Sequence, residues 1–260
     1  MAGISPLQLV LLFFVAILAG TLNSVTGGGS LLTVPTMIFS GMLPVLANTT
    51  STIVIWPGVA ASIGAYRREL AQVHLKLMIL LVSTSILGGI VGTMLLLHTP
   101  QETFSLVLPY CLLVAMLLFT FSELITKRLH VRNIGEQAHL SLLSIIGVSV
   151  AQFIIAIYGG YFGGGAGFLI LAILALMGME NIHSMNALRV LLGASTNSVA
   201  VVIFIIANVV IWPQAILMII GTIIGGYSGA YFARKIEQKW IRYFVMVVGF
   251  AMTIYFFIRP

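Results

Sequence analysis

Apolar residues fill this chain in long unbroken stretches, with charges only at the punctuation. Uncharged runs extend from Met1 to Tyr66, Leu77 to Gln101, Gln137 to Met179 and Val190 to Ala233. A spanning helix needs about 20 mostly apolar residues, so the longer runs must hold more than one span. Breaks at glycine, proline and polar clusters predict ten apolar segments, approximately 6–26, 30–43, 46–65, 76–97, 103–123, 139–161, 166–179, 184–207, 211–233 and 241–258. Five fall in each half. The second and seventh hold only about 14 residues, near 21 Å of helix against a hydrocarbon core of about 30 Å. Each is predicted to be one arm of a hairpin that turns inside the protein.

Composition places these segments in lipid. Hydrophobic residues make up 60% of the 260 and charged residues 7%, with a mean hydropathy of +1.15; a soluble domain carries roughly 25% charged residues. Met1 to Gly20 lacks a basic leader and a cleavage-type boundary, so it is expected to remain as the first helix. Cys111 is the only cysteine, which excludes a disulfide framework or a cysteine metal site, and neither a metal nor a cofactor is expected.

The net charge of +6 reflects topology, because the bases sit in short clusters and form no tract that could follow phosphates; nucleic acid is not an expected partner. Arg67, Arg68 and Lys76 occupy one loop, Lys127, Arg128 and Arg132 a second, and Arg234, Lys235, Lys239 and Arg242 a third. The short loops near His98 and Asn208 carry no Lys or Arg. The basic loops are expected on the cytoplasmic side, which places the N-terminus in the periplasm and gives the halves opposite orientations. The halves also resemble each other. Val25 to Pro35 (VTGGGSLLTVP) matches Tyr161 to Leu171 (YFGGGAGFLIL), Ile86 to Gly92 (ILGGIVG) matches Ile223 to Gly229 (IIGGYSG), and Asn48 corresponds to Asn186. The predicted fold is therefore an all-α polytopic membrane protein of two inverted repeats, with about 8–10 membrane segments including short broken or re-entrant helices. Residues 1–123 form the first repeat, 124–138 a cytoplasmic linker and 139–260 the second.

Three consecutive glycines break a helix, and backbone without partners costs several kcal/mol per group in hydrocarbon, so such a break belongs where protein walls it in or a wet cavity meets it. The short helices after Gly27, Gly28, Gly29 and after Gly163, Gly164, Gly165 can turn free N–H groups and a positive dipole end toward an anion. The competing reading is that these glycines only allow close helix packing; for ILGGIVG and IIGGYSG the packing reading is preferred. Polar residues collect around the triple glycines: Asn23, Ser24, Thr26 and Ser30 at the first, Tyr158 and Tyr161 at the second. The following helices open on Ala47 to Thr52 (ANTTST), with Asn48 and Thr49, and on Ser184 to Arg189 (SMNALR), with Asn186. These groups can replace an oxyanion's hydration shell, although a Ser or Thr can equally cap its own helix.

Arg189 lies inside an apolar segment, where a charge costs from about 2.5 kcal/mol upward unless paired or snorkelling. Glu180, a bound anion or the cytoplasmic interface are the three ways to satisfy it. The chain has no Asp, and its six Glu all fall at loops or segment ends, so no mid-membrane carboxylate is placed to relay protons or hold a cation. Enzymatic function is not expected: Gly193 to Ser195 (GAS) with distant His183 is the nearest approach to a nucleophile and base.

The run TGGGSLLTVP, then ANTTS, a loop ending QVHLKL, and a second half with GGYFGGGAGF resembles the TauE/SafE family of sulfite exporters, also called the toluene sulfonate uptake permease family. The resemblance implies a bacterial inner-membrane permease for sulfite, sulfoacetate or another small sulfonate or organic anion, often working in export. It is strongest at the first glycine motif and Pro35; in the second half Leu171 stands in place of Pro35, and the SMNALR stretch carries Arg189. The partners expected are a small anion and the bilayer, with the chain a monomer or a homodimer. An anion channel of the same architecture and a non-transporting membrane scaffold are the alternatives.

Overall fold

The computed structural model describes residues 6–25, 28–130, 142–177, 179, 181–232 and 238–258. The described residues are helical throughout their ordered elements: α1 (Pro6–Val25), α2 (Ser30–Phe39), α3 (Pro44–Ala65), the one-turn α4 (Arg67–Leu70), α5 (Leu75–His98) and α6 (Gln101–His130) in the first half. The second half supplies α7 (Leu142–Tyr161), α8 (Ala166–Leu176), α9 (Ile182–Ile206), α10 (Trp212–Phe232) and α11 (Gln238–Ile258). Stretches of α1, α5, α6 and α9 are long and apolar enough to cross a membrane by length and composition. The chain is an all-α polytopic membrane protein.

The two segments expected to be short are shorter still. α2 has 10 residues and α8 has 11, about 15–17 Å of helix, so neither crosses a bilayer alone. α2 stops at a glycine turn: Gly41 has φ +89°, its N–H reaches the Ile38 carbonyl (2.9 Å), and the Met42 N–H reaches the Met37 carbonyl (3.1 Å). Only a residue free of a Cβ enters that left-handed turn without strain. α6 is longer than its apolar segment, running to His130. No Gly or Pro interrupts Tyr110 to His130, so the helix carries on into the stretch expected to be linker.

Lipid supplies no hydrophobic drive between helices, and association rests on close packing and hydrogen bonds. Two seams show how. α1 packs on α10, and α5 packs on α7. A methyl group on Gly225 would run into the Ile17 carbonyl oxygen, and one on Gly221 would sit 2.8 Å from Ala16 Cβ. In the other seam a methyl on Gly92 would run into the Ile157 carbonyl, and one on Gly160 would sit 2.6 Å from the Gly89 carbonyl. The Gly-Gly motifs thus serve close packing, as preferred from sequence. Thr21 pins the first seam by donating to the Gly225 carbonyl (3.0 Å), and Thr222 ties α10 to α3 through the Val54 carbonyl (2.8 Å). Large apolar side chains such as Leu7 and Val247 point outward, as a lipid-facing surface requires.

Gly92→Ala and Gly225→Ala should each cost at least about 1–3 kcal/mol by overpacking, read as a lower Tm in detergent. Gly58→Ala, where nothing lies within 4 Å of the new methyl, should leave Tm unchanged or raise it. Equal effects at all three positions would remove the seams from the account.

Candidate functional site

The second glycine break is built from the end of α7. Gly163 and Gly165 both take positive φ, +80° and +79°, which turns the chain from α7 into α8. Tyr158, one turn back, donates its hydroxyl to the Gly164 carbonyl (2.7 Å) and so supplies a partner for backbone that the break takes out of the helix. Gly165 packs on Ala115 of α6, where a Cβ would stand 3.0 Å from the Ala115 Cα. The first helical bond of α8 runs from the Phe168 N–H to the Gly165 carbonyl (3.0 Å). The N–H groups of Ala166 and Gly167 therefore precede the helical ladder.

Those two residues line a cavity of about 70 Å³ with residues of α1, α3, α7 and α9. One water needs about 10–15 Å³ on that scale, so the cavity suits a small ion with some water and excludes drug-sized molecules. Arg189 of α9 lines it and is 6% exposed. Its guanidinium lies over the first turn of α8: a Cβ on Gly167 would sit 3.3 Å from Arg189 Nη1. Its Nε–H donates to Asn186 Oδ1 (3.3 Å), one turn earlier on α9. The side chain thus turns inward, against α8. Glu180, the protein partner considered from sequence, lies outside the described residues. Among the described residues no acidic side chain lines the cavity. A guanidinium and a positive helix end therefore face the same space, an arrangement that favours an anion.

Of the residues singled out from sequence, the cavity gathers Asn23, Gly163 and Arg189, with Asn186 orienting the last. The first break is placed differently. Gly28 and Gly29 are buried, and their carbonyls accept from Leu31 (3.1 Å) and Leu32 (3.1 Å) in the opening turn of α2, which Ser30 begins. Thr26 and Gly27 lie outside the described residues. Asn48 donates to the Tyr161 carbonyl (2.9 Å), and Thr49 donates to the Val209 carbonyl (2.6 Å). Both ties join the halves outside the cavity lining. Leu31 nevertheless reaches Gly164, whose added Cβ would be 3.3 Å from Leu31 Cδ2, so α2 and the second break touch.

Sequence reasoning missed Gln152, Thr196, Asn197 and Tyr66, all of which line the cavity. Gln152 carried a usable signal, because it is the only amide side chain in the apolar run Leu142 to Ile157. Thr196 and Asn197 sit on a face of α9 that only the packing turns inward, and Tyr66 in the turn between α3 and α4.

A polytopic α-helical membrane protein with a cation-bearing polar cavity among broken helices has the layout of a membrane transporter. A family model described as sulfite exporter TauE/SafE matches residues 12–256, and the chain belongs to that family. It is similar to the probable membrane transporter protein YfcA of Escherichia coli (strain K12), 30% identical over 253 residues that cover 96% of this chain and 90% of that protein. It is also similar to a probable membrane transporter protein of Haemophilus influenzae, 27% identical with 94% and 92% of the two chains covered. A third relative, probable membrane transporter protein ORF9 of a Sinorhizobium species, is 26% identical with 95% and 91% covered. No solved structure matches the chain.

Tyr158→Phe should leave the Gly164 carbonyl without its partner and lower stability by about 1–3 kcal/mol. Thermal unfolding in detergent measures it; an unchanged Tm would mean that the break does not lean on this hydroxyl.

Proposed function

We propose that the protein is a bacterial inner-membrane permease that exports a small sulfur-containing or organic anion, such as sulfite, sulfoacetate or another sulfonate. The observation that carries this reading is the buried Arg189 guanidinium set against the first turn of α8 in a cavity that no acidic side chain lines among the described residues. A buried cation with no counter-charge among the described residues is costly, and a bound anion removes that cost. The cavity's size suits an anion of a few heavy atoms. An inside-negative potential drives anions outward by about 2.3 kcal/mol per charge per 100 mV, so export can proceed without a coupled ion.

The topology in this proposal is two inverted repeats, α1 to α6 and α7 to α11, with the basic turn at Arg67 and Arg68 in the cytoplasm. In support, each repeat's first helix packs through glycines on the fourth apolar helix of the other: α1 on α10, and α7 on α5. Cysteines introduced at His98 and Asn208 should react with an impermeant thiol reagent added to intact cells, and one at Arg68 should not. The opposite pattern would refute the proposed topology and leave the potential-driven direction unchanged.

In the purified wild type, sulfite or sulfoacetate at 100 times Kd should add about 2.7 kcal/mol of stability. Arg189→Ala should abolish that gain, and Arg189→Lys should recover only part of it, because an ammonium lacks the planar two-point fork. Anion stabilisation that survives in Arg189→Ala would refute the site, and efflux from proteoliposomes that demands a sodium or proton gradient would refute the uncoupled mechanism.

A further inference from the structure

We infer that the second half of α3 is a hinged arm: it turns about Pro57 and Gly58 and opens the cavity beside Arg67 and Arg68, so that the anion reaches Arg189 past Tyr66. The route rests on the anion-permease reading; the hinge does not. α3 changes character at Pro57. From Ala47 to Ile55 every residue except Thr52 is buried. The same stretch is bonded to the second half of the chain. Asn48 donates to the Tyr161 carbonyl (2.9 Å), Thr49 donates to the Val209 carbonyl (2.6 Å), and the Thr50 hydroxyl accepts from the Ile211 N–H (3.2 Å). Trp56 closes the series, its Nε1–H donating to Ser198 Oγ of α9 (2.9 Å).

Beyond Trp56 neither kind of anchor continues. Among the described residues, none from Pro57 to Tyr66 is buried. Ser62 turns its hydroxyl back to the Gly58 carbonyl of its own helix (2.8 Å). The stretch PGVAASIGA offers Val59 and Ile63 as its only branched apolar side chains. So little apolar burial makes local movement cheap. There is room as well, since a Cβ on Gly58 or on Gly64 would meet nothing within 4 Å. Pro57 lacks the N–H that would close the helical bond to the Ile53 carbonyl, and Gly58 follows it, so the helix is weakest where the anchoring ends.

The arm is also a wall of the cavity. Val59, Ser62 and Tyr66 line it, at the spacing of one helix face. The bonds from Thr49 to Val209 and from Trp56 to Ser198 run α3 antiparallel to α9, so the arm lies beside the part of α9 where Gly193 and Arg189 line the same cavity. At the tip, Tyr66 is followed by the exposed Arg67 and Arg68. Leu70 and Val73, just beyond, pack on the apolar cluster that includes Leu188 and Leu192 of α9. Apolar contact is non-directional and allows the tip to slide. Moving the arm outward parts Tyr66 from α9 and joins the cavity to a surface whose guanidinium groups draw anions. In the proposed topology that surface is cytoplasmic. Gly58 to Tyr66 spans about 13 Å of helix, and turning it through about 20° moves the tip about 5 Å.

Spin labels joined by thioethers to cysteines at Arg68 and Gly147, in a Cys111→Ala background, report the arm in the full-length chain in nanodiscs. Gly147 is exposed on α7 and open to a new side chain. With the rest of the chain wild type, this pair should show two distances that differ by about 5 Å, in a ratio that sulfoacetate shifts. A cysteine at Leu43, exposed at the anchored end of α3, should show one distance to the same reference. Pro57→Ala combined with Gly58→Ala should collapse the Arg68 pair to one distance and slow sulfoacetate efflux from proteoliposomes at least about tenfold. Thermal stabilisation by sulfoacetate should persist in that double variant, which reports a folded protein with its site intact. A single Arg68 distance both with and without sulfoacetate, or undiminished efflux from the double variant, would overturn the inference. Loss of sulfoacetate binding in the double variant would also overturn it, by making the arm part of the site's scaffold. Two distances that collapse in the double variant, with neither sulfoacetate nor sulfite bound by the wild type, would uphold the hinge and bring down the anion reading.

Discussion

Within a bilayer every backbone N–H and C=O must find its partner inside the protein, and that constraint shapes the whole molecule. Unbroken helices meet it by themselves. A break such as Gly163 to Gly165 does not, and it survives here because other groups close around it. Tyr158 supplies a donor to Gly164, and α6 packs against Gly165 at Ala115. The glycine seams between α1 and α10 and between α5 and α7 bring the surrounding helices near enough to form such walls. Close packing and the polar cavity are two consequences of one requirement.

The second consequence is electrostatic. Breaking the chain between α7 and α8 starts a new helix in the protein interior, with its positive end toward the cavity. Placing Arg189 over that same turn adds a full charge of the same sign. Such a pair destabilises the empty protein and is relieved when an anion enters, so in the proposed mechanism part of the binding free energy is stored in the fold. In the proposed repeat the position matching Arg189 in the first half is Ser51, at the offset that pairs Asn48 with Asn186. Ser51 is buried and shares a hydrogen bond with Thr33. The neutral half uses that position for packing α2 on α3, and the charged half leaves it facing the cavity.

The fold was legible because lipid imposes simple rules. Charge-free runs marked the helices, and the triple glycines beside abnormally short segments marked α2 and α8. The end of α6 was not legible, because nothing in Ser122 to His130 distinguishes the last turns of a helix from a polar linker. The site was legible where a residue broke a composition rule. Arg189 in an apolar helix and the glycines at 163–165 did so. Asn48 and Thr49 looked like ligands by residue type, yet they bind the Tyr161 and Val209 carbonyls. A polar side chain in a membrane helix satisfies either a substrate or a neighbouring backbone, and only the packing decides which. Thr196 and Asn197 illustrate the reverse case, being ordinary in sequence and placed at the cavity by the rotation of α9.

The central claim is that the cavity lined by Arg189 and the first turn of α8 holds the anion. The most direct measurement is a crystal structure of the lipid-embedded protein with selenite, whose selenium is located by anomalous scattering. The account predicts selenium within about 4–6 Å of the Arg189 guanidinium, the range over which opposite charges stabilise each other strongly. An ordered selenium elsewhere among the helices, with none beside Arg189, would contradict it.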